Sequence, residues 1–387
     1  MDGNADLDDT LLQNFESASS VLADGDDGLR TALCSRFAAL KIKQFQRWGK
    51  IEDLEEAIEK AKLAVEGTAQ EDIHYPGRLN NFSAALGYRY ERTGKMDDLE
   101  EAIQVSRQVI KLTPKDDPDL AAWLNNLGNN LESRYRRIRK MDELEEAIQV
   151  ARQAVKVAPK DHPELAAWLN NLGNKLTLRY RHTSKMGDLE EAIQVTRQAV
   201  KITPENDPNL ATMLSNLGNA LGLRYERDRN MDDGEEAIQV AREAVKVTPE
   251  DHPDLATWLN NLGNTLESRF KRTGNMDDLE EAIQVTRQAV KIMPEDHPDL
   301  IAMLSNLGDD LGLRYERTGN IDDIEEAVQV ARLAVKATPE DHPGLAGRLS
   351  NLGNKLKSRY KRVGKIDDLE EAIQLDRQAV LRDLGYP

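Results

Sequence analysis

The chain has 387 residues, of which 39% are apolar, 31% charged and only 5% aromatic, with a net charge of −17. Such a chain can fold, but around a thin aliphatic layer rather than one large core, and its acidity repels phosphate backbones, so no nucleic acid is expected as a partner. Cys34 is the only cysteine, which excludes an intrachain disulfide and fits a reducing compartment.

Residues 1–30 carry eight acids against Arg30 alone and are expected to form an acidic segment, partly disordered or capping. The stretch Met1 to Asp9 lacks the basic and apolar regions of a signal peptide. No apolar run approaches the roughly 18 residues needed to cross a bilayer. The expectation is a soluble, cytoplasmic chain with no membrane partner.

From residue 31 onward the chain repeats. Glu-Glu-Ala-Ile starts at Glu55, Glu100, Glu145, Glu190, Glu235, Glu280 and Glu370, and Glu-Glu-Ala-Val at Glu325, always 45 residues apart. Asn-Leu-Gly keeps the same beat from Asn126 to Asn351, with a weaker version at Asn81 and a degenerate first copy around Phe37 and Phe45. A strict period of this length marks stacked supersecondary units. Eight copies over residues 31–381 predict an all-α solenoid of helical hairpins, continuing as a right-handed superhelix, with residues 382–387 as a C-terminal tail.

Within the copy at 119–163, Leu120, Leu124, Leu127, Leu131 and Tyr135 recur three or four apart, which predicts a first helix about 19 residues long. Asp117-Pro118 precedes it, and proline fits a first helical turn. Leu144, Ala147, Ile148, Ala151 and Val155 mark a second helix, with Asp142 and Glu145 spaced as a capping box and Pro159 closing it. In chain order, the turns between helices hold Gly49, Gly94, Arg139, Ser184, Arg229, Gly274, Gly319 and Gly364. Glycine takes the left-handed conformation that stops a helix, so the third, fourth and fifth turns are less ideal. The fifth copy also has Gly234 where its sisters have Leu or Ile, which predicts a gap and fast exchange around residues 228–240. After the last copy, only Arg382 to Pro387 follow to cover its apolar face.

No catalytic centre is expected. The phosphate-loop spacing fails, since Arg89 stands where the first glycine would precede Gly94-Lys95. His162, His252, His297 and His342 each lie between Asp and Pro before a first helix; a stack spreads them along an edge, so capping is expected and metal binding is not. Acid groups such as Asp97, Asp98, Glu100 and Glu101 recur at every second-helix start and oppose the helix dipole. No cofactor is expected. Cys34 fits a small buried hydrophobe.

The asparagines stand out, because Asn costs roughly 0.5 kcal/mol against Ala inside a helix. Asn81, Asn126, Asn171, Asn216, Asn261, Asn306 and Asn351 fill one mid-helix column, and Asn129, Asn174, Asn219, Asn264 and Asn354 a second. From Asn126 onward they form the candidate peptide-binding set, hydrogen-bonding a ligand's backbone. The other reading, not exclusive of the first, is that each amide ties its helix to the next repeat. Asn125, Asn129, Glu132 and Arg136 fall within about 60° on a helical wheel, and the positions of Asn125, Glu132, Ser133 and Arg136 vary among sister copies, as an exposed recognition stripe would. Arginine columns at Arg134 and Arg152, with the acids at Glu145 and Glu146, predict ion pairs between repeats.

Leu124, Leu127, Gly128 and Leu131, followed by Ala147, Ala151, Ala154 and Pro159, resemble the tetratricopeptide repeat, over residues 30–381. That family's usual unit is about 34 residues, so here the first helix and both turns are longer. The Leu-Asn-Asn-Leu run resembles the longer repeats of kinesin light chains, whose first helices line a peptide groove with asparagines. The near-identical units are also similar to arrays in fungal nucleotide-binding immune-receptor-like proteins, and other relatives precede caspase-like peptidase domains. The resemblance implies a scaffold holding a protein or peptide ligand on a concave surface of first helices. Chaperone-tail clamps of this family use a lysine one turn before an Asn; Asn125 or Ser215 stands there, so that ligand is not implied. Self-assembly by end-to-end stacking is the alternative, and an enzyme using the groove is a further one.

Overall fold

The protein is described here by a computed structural model covering residues 27–383. Most of the acidic segment, residues 1–26, and tail residues 384–387 lie outside the described residues. Sixteen helices and no strand are present among the described residues. They pair as hairpin 1 (α1 Asp27–Trp48, α2 Ile51–Glu66), hairpin 2 (α3 Tyr75–Thr93, α4 Met96–Leu112), hairpin 3 (α5 Leu120–Ile138, α6 Met141–Val157) and hairpin 4 (α7 Leu165–Thr183, α8 Met186–Ile202). Hairpins 5 to 8 follow as α9 Leu210–Asp228 with α10 Met231–Val247, α11 Leu255–Thr273 with α12 Met276–Ile292, α13 Leu300–Thr318 with α14 Ile321–Ala337, and α15 Leu345–Val363 with α16 Ile366–Asp383. The chain forms two compact units, residues 1–199 and 200–387.

The turns inside the hairpins follow the expected chemistry. Gly94, Gly274, Gly319 and Gly364 stop their first helices at φ between 69° and 74°, and Arg139, Ser184 and Arg229 are held in the same left-handed region at 58°, 55° and 61°. The backbone N–H there closes on the aromatic residue four back, as Arg139 does on the Tyr135 carbonyl at 2.7 Å.

Both helix starts differ from the sequence expectation. α5 begins at Leu120, two residues after Pro118, because Asp117 Oδ1 first takes the Asp119 N–H at 2.8 Å in a preceding turn. His162, His252, His297 and His342 occupy that position and accept the equivalent N–H on Nδ1 at 2.9–3.2 Å, so they act as caps. Second helices start before the expected capping box: Asp142 already lies in the first turn of α6. Where a side chain caps, it stands two residues earlier: Asn230, Asn275 and Asn320 accept the N–H of Asp232, Asp277 and Asp322, whereas Lys50, Lys95 and Lys140 make no such bond.

The core is a series of small clusters, some within one hairpin, as Leu120, Leu124 and Ala154 are, and others joining a hairpin to the first helix of the next. Tyr135, Leu144, Ile148 and Ala151 of hairpin 3 pack with Leu172 and Leu176 of hairpin 4, and Ile238 and Ala241 pack with Leu262 and Leu266. The repeated glycine permits close helix crossing: a Cβ on Gly128 would stand 3.4 Å from the Ala147 carbonyl and 3.2 Å from Val150 Cγ2. Within each unit the first helices of neighbouring hairpins also touch one another directly. Cys34 is half-buried in α1, less enclosed than expected.

The arginine columns divide. Arg152 pairs with Glu191 at 2.5 Å, and Arg107–Glu146, Arg242–Glu281, Arg287–Glu326 and Arg332–Glu371 repeat this bridge to the next hairpin, as expected. The other column instead staples its own hairpin. Arg89 places Nε and Nη2 2.8 and 2.6 Å from the Asp98 oxygens. Arg179, Arg224, Arg269, Arg314 and Arg359 grip the aspartate nine residues on in the same fork. Arg134 does both, binding Glu143 and, at 2.9 Å, Glu100 of the preceding hairpin. The aspartate one residue further along than the expected cap points inward, and this is why it is buried.

Nor is Gly234 a gap. Tyr225, 0% exposed, fills the place of the missing side chain: a Cβ on Gly234 would lie 2.9–3.1 Å from three of its ring carbons.

Candidate functional site

Within each unit, first helices turn their glycine toward their own second helix, pack leucines on the preceding hairpin as well, and turn asparagines toward the preceding first helix. Asn126 Nδ2 donates to Asn80 Oδ1 at 3.1 Å, Asn171 to Asn125 Oδ1 at 3.0 Å, and Asn261 to Ser215 Oγ at 3.1 Å. Asn81 does the same to Ser35, and Asn306 donates both to Asn260 Oδ1 at 3.1 Å and to Asn264 Oδ1 at 2.9 Å. Apart from Asn306 to Asn264, which spans 42 residues, the spacing is 46 each time, so a side chain meets the residue just before its own equivalent one repeat back. Asn126, Asn171 and Asn261 each use one of two amide hydrogens this way.

The second column is less engaged. Asn129 Oδ1 accepts from Lys175 Nζ at 2.8 Å, and Asn264 accepts from Asn306. Asn174, Asn219 and Asn354 make no hydrogen bond through their side chains among the described residues, and neither does Asn351, which is exposed. Asn216 is half-buried between Ser215 and Leu217.

The stripe expected at Asn125, Asn129, Glu132 and Arg136 is only partly exposed. Asn125 is 8% exposed, because its carbonyl receives the Asn171 amide. Glu132 is largely covered, because Lys175 Nζ lies 3.1 Å from its Oε2 and Arg136 reaches its Oε1 at 2.6 Å. A wheel drawn on one helix omits the neighbouring helix that covers these residues.

That neighbour carries the charges that sequence reading missed. Ala85, Asn130, Lys175, Ala220, Thr265, Asp310 and Lys355 form one column, and Asn130, Lys175 and Lys355 reach back to the preceding hairpin. Ala85 and Ala220 are buried, as is Lys175 at 1% exposure. Burial pulls the Lys175 pKa below its usual value, opposed by the Glu132 charge. Burial pushes the Glu132 carboxyl up, but the Lys175 and Arg136 charges outweigh it and hold the group below its ordinary range. Asp310 has no such partner: burial, then the Glu267 charge, pushes its pKa up to about 8, with Lys271 opposing and Asp309 adding to the rise. The available signal was a column of small residues broken by Lys and Asp.

Among the described residues no group of three or more His, Cys, Asp or Glu is placed to hold a metal ion. No described helix is long and apolar enough to cross a membrane.

The sequence profile described as Tetratricopeptide repeat matches residues 77–119, 120–164, 165–209, 210–254 and 255–299. None of the curated proteins matches the sequence. Solved structures similar to this chain include the nearly identical TPR-like repeats of a Podosopora anserina chain assigned as a kinesin light chain, at 18% identity and a TM-score of 0.42, covering 58% of this chain and 98% of that one. BtubC (BKLC) from P. vanneervenii is similar at 19% identity and a TM-score of 0.45, covering 64% of this chain and 92% of that one. YrrB, described as a TPR protein with an unusual peptide-binding site, is similar at 18% identity and a TM-score of 0.40, covering 59% and 93%.

Proposed function

Since the chain belongs to the tetratricopeptide repeat family, we propose that it is a non-enzymatic scaffold holding a protein or peptide along the surface of its first helices. One observation carries this reading. Beside amides locked into the frame, Asn174, Asn219, Asn351 and Asn354 keep their full hydrogen-bonding capacity, on helices whose neighbouring positions vary from copy to copy. An amide can both donate to and accept from a peptide backbone, which gives affinity with little sequence demand.

The test uses peptides selected by display against the full chain. Replacing Asn174, Asn219 and Asn354 by Ala should leave the melting temperature unchanged or raised, because no internal bond is lost and helix propensity improves. It should weaken the selected peptides by about tenfold or more, on the scale of one or two hydrogen bonds. Unchanged peptide affinity with a stable fold would refute the assignment.

A further inference from the structure

Lys175 and Asp310 hold the same place in hairpins 4 and 7, with opposite charge. Lys175 reaches back to Glu132 Oε2 and Asn129 Oδ1 at 3.1 and 2.8 Å. The counterparts of those two acceptors in hairpin 6 are Glu267 and Asn264. There an acid stands where the ammonium would be. Asp310 is 2% exposed and its Oδ1 has no hydrogen-bond partner. Thr286 Oγ1 is also unpartnered, although its counterpart Ser106 receives the Asn130 amide at 3.5 Å. This interface keeps both acceptors, but Asn264 Oδ1 takes the Asn306 amide and Glu267 Oε1 takes Lys271, and no ammonium stands in the place of Lys175.

A groove of about 300 Å³ opens beside it across α11, α13 and α15, walled by Glu267, Lys271, Asp309, Tyr315, Glu316 and Asn354 among others. Its two lysines are already neutralised, Lys271 by Glu267 at 2.6 Å and Lys355 by Asp309 at 2.7 Å. The Glu316 carboxylate has no ion-pair partner among the described residues. In the two preceding hairpins the column's aromatic ring is capped by an arginine of the following hairpin, Arg272 over Tyr225 at 4.7 Å and Arg317 over Phe270 at 5.8 Å. Tyr315 is half-buried, and no cation stands over its ring among the described residues. Gly312 leaves room, since a Cβ there would meet nothing within 4 Å.

Resting on the scaffold reading above, we propose that this groove takes a cationic side chain, lysine or arginine, of a bound peptide, with the Tyr315 ring and the Glu316 and Glu267 carboxylates as its acceptors. A ring face and carboxylates both attract a cation. The groups facing Asp310 are Glu267 and Lys271 of α11 and Asp309 of its own helix. An arriving positive charge favours ionisation of Asp310, whose proton leaves to solvent. Binding should therefore tighten as pH rises toward 8.

The test is fluorescence anisotropy of the full chain with three labelled alanine-rich peptides that differ at one central residue: Lys, its neutral near-isostere norleucine, or Glu. The expected order is Lys tightest, about tenfold over norleucine, and Glu weakest. Glu316→Gln, an exposed change, should cut the Lys preference. Asp310→Lys should abolish it while raising the melting temperature, because it rebuilds the Lys175 arrangement against Glu267. Equal affinity for the Lys and norleucine peptides overturns the cation site but leaves the scaffold reading standing, since the Asn174, Asn219 and Asn354 substitutions test that separately. A Lys preference untouched by both variants, or no binding of any of the three peptides, also overturns it.

Discussion

Gly234→Leu tests how a repeat fills a missing side chain. Without neighbours, the substitution should gain roughly 1.5–3 kcal/mol from burying a leucine and about 1 kcal/mol from removing a helical glycine. The Tyr225 ring, however, already occupies that space, with three carbons 2.9–3.1 Å from where the new Cβ must go. A leucine fits only if this fully buried ring withdraws, giving up its contact with Met231 Sδ at 3.7 Å and displacing the Arg272 guanidinium above it. The leucine's burial gain is then cancelled by the burial the ring gives up, and overpacking of this kind costs about 1–3 kcal/mol against the roughly 1 kcal/mol of helix propensity, so the net change should lie between about zero and 2 kcal/mol of destabilisation. A cycle with Tyr225→Ala isolates the effect. Removing the ring should cost about 3–5 kcal/mol beside Gly234. In the Gly234→Leu background it should cost at least about 1 kcal/mol less, because the leucine then fills part of the cavity. The assay is urea unfolding by circular dichroism, with hydrogen exchange at residues 228–240 reporting local opening. A gain of the full 2.5–4 kcal/mol suggested by the sum of the two sequence-based effects, or a cycle with no coupling, would refute the reasoning.

Three further outcomes follow from particular residues. Asp310 keeps its proton in the folded state up to about pH 8, whereas an unfolded aspartate loses it near 3.9; its contribution is fully present below about pH 4 and is lost as pH rises through 8. Asp310→Asn should flatten that part of the stability–pH curve and raise stability at pH 9, read by urea melts across the range. Arg229→Gly should stabilise by about 1 kcal/mol, since φ is 61° there and a side chain in that region is strained; Ser184→Gly should do the same, both read by melting. Asn171→Ala should destabilise by about 1 kcal/mol despite better helix propensity, because it leaves the buried Asn125 carbonyl without its donor; a melting temperature equal to or above wild type would contradict the bracing bond.

Much of the fold was legible because a 45-residue period repeats the same local rules eight times. The leucine spacing determined both helices of every hairpin, the turn residues located their ends, and the recurring histidines were readable as caps. Helix starts were missed by a few residues because caps depend on which side chain turns back to a free N–H, and spacing alone does not choose between Asp142 and the residue before the helix. The asparagine ladder illustrates the deeper limit. Sequence placed the amides in two columns and left open whether they bind a ligand or the next repeat. Only the packed structure separated Asn171, bonded to Asn125, from Asn174, bonded to nothing within the described residues. The same holds for charge: Lys175 and Asp310 belong to one column of seven residues, and nothing along the helix reveals that one finds a carboxylate across the interface and the other a like charge. Local interactions repeat with the chain and can be read from it. The polar contacts described between repeats join residues 34 to 46 apart, so their sign depends on two copies at once, and stacking alone brings those copies together.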